Sequence, residues 1–147
     1  MIYEVLNDGE YEKKLLRLIS GAKRKITIVA YHVGGDTSVR RDLIESLKLA
    51  HSVGVEINVL LNGVFNNEKT TREVYRFADA ISPYCDSALV GTTLKKDHRK
   101  IVIVDDRHIL IGSHNLSERS LKKNRETSLY LESPEIASAL IWEEKLK

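Results

Sequence analysis

Apolar and polar positions along this chain change period repeatedly. In YEKKLLRLISGAKR, Leu15, Leu16, Leu18 and Ile19 recur at helical spacing, which predicts an amphipathic helix that Asp8 is placed to cap. The next run, KITIVAYHV, is apolar almost throughout, as in a strand buried on both faces. Helical spacing returns in VRRDLIESLKLAHSV, with Ser38 ahead of it as a cap and Gly54 just past its end, and VEINVLLN follows as another buried strand. TTREVYRFADAI predicts a third helix and SALVG a short strand. IVIV and HILIG are separated by Asp105, Asp106 and Arg107, a spacing that suits a hairpin turn. ETSLYLES reads as a last strand, and Pro134 opens a last helix, PEIASALIWEEKLK. Alternation of this kind predicts an α/β fold with a mixed central sheet and helices on both faces. At 147 residues the chain is read as one domain, 1–147, large enough to bury a real core.

Most of the candidate chemistry is packed into the predicted hairpin, in HRKIVIVDDRHILIGSHN. His98 and Lys100 are two positions apart, so in an extended backbone they project to one side; Ser113 and Asn115 obey the same rule. Taken singly, each has an ordinary explanation. Lys100 is what a solvated edge-strand lysine looks like, and a hairpin turn accounts for Asp105. Together they form a set suited to an anionic substrate. A neutral imidazole can attack phosphorus, an ammonium and an amide can hold the phosphoryl oxygens, and a carboxylate can fix the imidazole tautomer.

Written as a pattern, the run is His98-x-Lys100, four residues, Asp105, six residues, then Gly112-Ser113-x-Asn115. It resembles the signature of the phospholipase D superfamily at every fixed position, and the order of predicted elements is similar to that of the superfamily's compact, single-motif nucleases. The resemblance implies a phospholipase D-like fold, no cofactor and no catalytic metal. It also implies a covalent phosphohistidine intermediate, with His98 as nucleophile, Lys100 and Asn115 as phosphate ligands, and Ser113 and Asp105 in support. In those nucleases a glutamate after the Gly-Ser-x-Asn element hydrogen-bonds the catalytic histidine, and Glu126 is the matching position. Superfamily enzymes pair two copies of the motif. Here His32, His51, His108 and His114 are followed two positions on by Gly34, Val53, Leu110 and Leu116, so there is no second His-x-Lys. The resemblance therefore implies a homodimer with the site shared between subunits.

Charge adds a direction. The net value is only +2, but Lys95, Lys96, Arg99 and Lys100 lie before the hairpin and Arg119, Lys122, Lys123 and Arg125 after it. A basic rim around an anion pocket is expected of contact with DNA or RNA. His32, just past a strand that should end near the pocket, is a secondary substrate-binding candidate, whereas His114 alternates away from Ser113 and Asn115 and is read as non-catalytic. The single Cys85 excludes an internal disulfide and any cysteine-based metal site. No stretch approaches a membrane span and no signal-peptide core is visible, so a cytoplasmic location is the expectation. The leading reading is a metal-independent endonuclease. The alternatives are a phospholipase or phosphatidyltransferase, the cleavage module of a larger restriction or repair assembly, and a binding domain with weakened catalysis.

Overall fold

The computed structural model describes residues 2–34, 37–92 and 96–144. Its elements run β1 (Ile2–Asn7), α1 (Glu10–Ser20), β2 (Lys25–Ala30), β3 (Val33–Gly34), α2 (Thr37–Ser52), β4 (Glu56–Asn62), α3 (Glu68–Ile81), β5 (Ser87–Gly91), β6 (Ile101–Val104), β7 (His108–Gly112), β8 (Leu116–Ser117), β9 (Thr127–Glu132) and α4 (Pro134–Glu144). Among the described residues, seven strands form one sheet in the order β1-β9-β7-β6-β2-β4-β5. The β2, β4 and β5 strands run parallel, and β2 meets β6 antiparallel, as do all the pairs from there out to β1. The sheet is thus mixed, as the alternation predicts.

Helices cover both faces unequally. Leu15 and Ile19 of α1, Leu43 and Leu47 of α2, and Val74, Phe77 and Ile81 of α3 pack with Ile26, Ile28, Ile57, Val59 and Val102 into the main core. On the opposite face, Val29, Ile101, Ile103 and Ile109 meet α4 through Ala137, Ile136 and Leu140. Strands β2 and β6 bury residues on both sides, which explains their unbroken apolar runs.

Three local expectations differ. The β1 strand is absent from the sequence-level reading because its burial carries no period: only Leu6 is buried, and backbone pairing with β9 makes it a strand. Asp8 does not cap α1. That position belongs to Gly9, and Asp8, at φ 51°, turns its carboxylate to accept the backbone N–H of Glu126 at 2.8 Å. Helix α2 begins at Thr37, one residue ahead of the predicted cap Ser38. Gly54 ends it as predicted, at φ 87°, where a side chain would be strained.

Candidate active site

The segment leading into β6 is pinned from the end of β4. Buried Asn62 accepts the backbone N–H of Asp97 at 3.0 Å, and Arg99 closes on the Asp97 carboxylate through Nε at 2.9 Å and Nη2 at 2.7 Å. Arg99, predicted to contact substrate, is thereby engaged in a local fork whose geometry suits guanidinium and carboxylate. His98 and Lys100 lie just before β6 rather than in it, yet they project together: Lys100 Nζ stands 2.8 Å from His98 Nδ1 and donates to the His98 carbonyl at 2.8 Å. The His98 ring stacks on Tyr31, at the end of β2, with centroids 3.9 Å apart and planes 26° from parallel. Tyr31 also takes the Lys100 ammonium at 5.3 Å and that of exposed Lys96 at 5.9 Å over its ring.

The neighbouring β7 ends at Gly112, and there the motif's glycine has a steric cause. A Cβ on Gly112 would lie 2.4 Å from Ser128 Cα on β9, its pairing partner, so the two strands could not approach as they do. Beyond it, the Ser113 hydroxyl donates to the Thr127 carbonyl at 3.2 Å and accepts the Thr127 N–H at 3.0 Å. Asn115 and Lys100 border the same narrow crevice. The Asn115 backbone N–H donates to Ser120 Oγ at 2.7 Å, Ser120 passes its own proton to Glu126 Oε2 at 3.0 Å, and Asn115 Oδ1 is buried without a hydrogen-bond partner. Such an unpaired buried acceptor costs stability.

Electrostatics bind the group together. Burial lowers the pKa of Lys100, and the nearby Glu126 carboxylate partly offsets that effect. Burial alone would raise Glu126. The nearby Ser113 hydroxyl, hydrogen bonds from Asn124 and Ser120, and the adjacent His114 overcome it and hold the carboxyl below its ordinary value. Glu126 therefore stays ionised opposite Lys100. The expected hydrogen bond from Glu126 to His98 is replaced: Glu126 Oε2 accepts from Ser120 and Asn124, and His98 Nδ1 meets Lys100.

Asp105 is not brought to the site. It lies at the opposite end of the β6–β7 hairpin, at φ 55°, where its carboxylate accepts the backbone N–H groups of Lys23, Arg24 and Lys25 at 2.7–3.2 Å. Burial would raise its pKa, but those bonds and the Arg24 charge hold it below the ordinary range. Its role is to tie the start of β2 to the hairpin. His114 is fully buried, stacked on Tyr11 with centroids 4.4 Å apart, and donates through Nε2 to the Asp8 carbonyl at 2.9 Å. It is a core group, in line with the alternation rule.

His32 lies one residue past Tyr31, edge-on to Phe65 at 6.1 Å, with its pKa lowered by burial against the opposing charge of Glu73. Of the basic rim, Lys96 stands beside Tyr31, and Arg119, Lys122, Lys123 and Arg125 are exposed on and just after a π-helical turn, Arg119–Lys123, that leads into Glu126. Lys95 lies outside the described residues. Among the described residues no group of three or more His, Cys, Asp or Glu is disposed to hold a metal ion, and no helix is long and apolar enough to cross a membrane. Tyr31, Ser120 and Asn62 escape a reading of the motif alone. Only Tyr31 carried a signal, as an aromatic at the carboxyl end of a predicted strand.

Comparison with known proteins agrees with this fold. The family model described as cardiolipin synthase, PLD-like domain, matches residues 15–143. The major cardiolipin synthase ClsA of Bacillus subtilis (strain 168) is 25% identical over 148 residues, covering 91% of this chain and 27% of its own length. The chain thus spans just over a quarter of that curated relative. Among solved structures, Nuc, a phospholipase D family member from Salmonella typhimurium, matches with a TM-score of 0.80 at 20% identity, over 97% of this chain and 90% of that one. Phosphatidylserine synthase from Haemophilus influenzae Rd KW20 matches with a TM-score of 0.72 at 17% identity, over 98% of this chain and 37% of that one. At these identities the structural likeness is one of fold.

Proposed function

The chain belongs to the phospholipase D superfamily, and from that premise we propose that it is a homodimeric, metal-independent endonuclease acting on DNA or RNA without strong sequence preference. The observation that carries the reading is the Lys100 ammonium, held 2.8 Å from His98 Nδ1. A cation beside an imidazole is what a metal-free phosphodiesterase needs.

In the proposed reaction, His98 Nε2 attacks phosphorus and forms a phosphorus–nitrogen bond as the bond to the leaving oxygen breaks. His98 of the partner subunit donates the proton that the leaving oxygen takes, then removes one from the water that hydrolyses the phosphohistidine. General acid assistance of this kind is worth about 10²–10⁴-fold. Lys100 and Asn115 of both subunits hold the phosphoryl oxygens, and Glu126, through Ser120, fixes the backbone of Asn115. The exposed cations Lys96, Arg119, Lys122, Lys123 and Arg125 favour a polyphosphate strand over a single headgroup. A cytoplasmic setting goes with that substrate.

The second reading is phosphatidyl transfer, favoured by the names of the Bacillus and Haemophilus relatives. A cleavage module within a longer protein is compatible with either chemistry. One assay separates the substrates: labelled single- and double-stranded DNA, RNA and phosphatidylcholine are incubated with the chain and with His98→Ala in the presence of a chelator. Nucleic-acid cleavage that His98→Ala abolishes is the expected result. Turnover of the lipid alone, or cleavage only after a divalent ion is restored, would sink the proposal.

A further inference from the structure

We propose that the cavity beside Phe65 is a nucleobase subsite, seating one unpaired base next to the scissile phosphate of a single strand. The inference rests on the nucleic-acid reading above and deepens it. Phe65 lies between the end of β4 and the start of α3, in the wall of an open cavity of about 330 Å³ completed by Asn66, Asn67, Glu68, Thr71 and Arg72. That volume is at the lower end of the range for small-ligand sites, ~300–1,000 Å³.

Its position ties it to the chemistry. The Phe65 ring is tilted 50° against Tyr31 with centroids 5.4 Å apart, and Tyr31 in turn stacks on His98 at 3.9 Å. Two ring-to-ring steps lead from the attacking imidazole to the cavity, the kind of separation a nucleotide spans between its phosphate and its base. The two ammonium groups over Tyr31, of Lys96 and Lys100, place the anion-binding end at His98 and not at Phe65.

The lining selects the class of ligand. Phe65 is the one apolar side chain among those six, so the lining offers a single ring and no run of aliphatic side chains for an acyl chain to follow. A second phosphate would meet the Glu68 carboxylate, which faces Arg72 at 3.7 Å and leaves the pair close to neutral. An aromatic ring with amide and guanidinium groups beside it suits an uncharged, flat heterocycle that carries donors and acceptors on its edge. Asn67 Oδ1 is committed to the N–H groups of Lys69 and Thr70, so exposed Asn66 and Arg72 are the side chains placed to meet that edge. A paired base would have to leave its stack to enter, which makes unpaired strands the favoured ligand.

The test compares a fluorescein-labelled thymidine oligonucleotide with an abasic one of equal length, binding to His98→Ala so that nothing is cleaved. The base-bearing strand should bind about tenfold more tightly per seated base. Phe65→Leu should bring the ratio close to one, and Phe65→Tyr, which keeps the ring, should preserve it. Asn66→Ala, at an exposed position with no bearing on folding, should lower it. A ratio near one in the parent, or one that survives Phe65→Leu, overturns the subsite. So does a loss of phosphatidylglycerol vesicle binding in Phe65→Leu with oligonucleotide binding unmoved. Cleavage of DNA and RNA, single- and double-stranded, by the intact chain is measured alongside. If any of them is cleaved but the ratio is near one, the subsite alone falls; if none is cleaved, the nucleic-acid reading falls and the subsite with it.

Discussion

Lys100 grips His98 at two atoms, standing 2.8 Å from Nδ1 and 2.8 Å from the backbone carbonyl. An ammonium can only donate, so Nδ1 accepts and a neutral His98 carries its proton on Nε2, the nitrogen that must attack. In the proposed reaction a phosphodiester anion would compete for the ammonium, and Lys100 turning to it would release Nδ1 to take the proton and leave Nε2 as the nucleophile.

Binding of an anion should therefore depend on the charge of Lys100. Its pKa is lowered by burial, so the ammonium is lost at a pH below the ordinary lysine value of ~10.4. The affinity for inorganic phosphate, read as competitive inhibition, should weaken as pH rises into that range. Lys100→Arg should hold its affinity through the same range, because a guanidinium does not deprotonate there. Lys100→Met should lower the rate by about 10²–10³-fold, the cost of one lost donor at the phosphoryl group. Identical pH profiles for the intact chain and Lys100→Arg would place the anion on other groups.

Asp105 gives the opposite kind of prediction. Its carboxylate gathers three backbone N–H groups at the start of β2, far along the hairpin from His98. Asp105→Asn keeps the shape and tolerates the positive φ but loses the charge, so it should cost about 1–2 kcal/mol in chemical denaturation, discounted for partial exposure. Since the folded pKa is depressed, the stabilisation is present above the ordinary aspartate value and lost as pH falls through the folded one. The cleavage rate per folded molecule should be unchanged; a large fall in rate without unfolding would restore Asp105 to the chemistry.

The contrast between Asp105 and Lys100 marks what the sequence makes legible. The hairpin is legible because its apolar runs and its polar motif are adjacent, and His98 and Lys100, two positions apart, do project together although they lie just before β6. Burial on both sheet faces makes β2 and β6 conspicuous, and the alternation of Ile57, Val59 and Leu61 does the same for β4. What stayed hidden depends on contacts between distant segments: Asp8 holding the Glu126 backbone, Asn62 holding Asp97, Tyr31 under His98, and the turn of Arg99 toward Asp97. The motif names Asp105 among six fixed positions without saying which end of the hairpin each one serves. Glu126 is legible as a candidate, but its partner Ser120 is not, because Ser120 enters only through an irregular turn that no periodicity announces.

His114 should make the fold sensitive to mild acid. It is buried against Tyr11, donates through Nε2 to the Asp8 carbonyl and meets Ser128 Oγ through Nδ1 at 2.7 Å, so Nε2 carries a proton. Burial lowers its pKa against the opposing pull of Asp8 and Glu126. The unfolded chain therefore binds a proton that the native state refuses, so stability is full above ~6.5, the ordinary histidine value, and is lost as pH falls from there through the folded value. Melting temperatures across that window should decline for the intact chain. His114→Phe keeps a ring but leaves the Asp8 carbonyl unpaired, so it should be less stable throughout, with a flatter slope. Parallel slopes would assign the acid sensitivity to another group.

The last prediction follows from one motif per chain. If each site needs His98 from both subunits, a heterodimer of the intact chain with His98→Ala has no complete pair and should be inactive despite containing one unaltered subunit. Mixtures unfolded and refolded at constant total protein pair at random, so the fraction of intact homodimers is the square of the intact fraction. An equal mixture should keep roughly a quarter of full activity, where independent subunits would keep about half. The curve, and not the single point, is decisive, because partial inactivation on refolding scales every mixture alike and leaves its shape. A linear dependence, or a fully active species that sediments as a monomer, would require His98 to work with an acid from its own chain. His32, beyond Tyr31 on the same strand end, would then be the group to replace next.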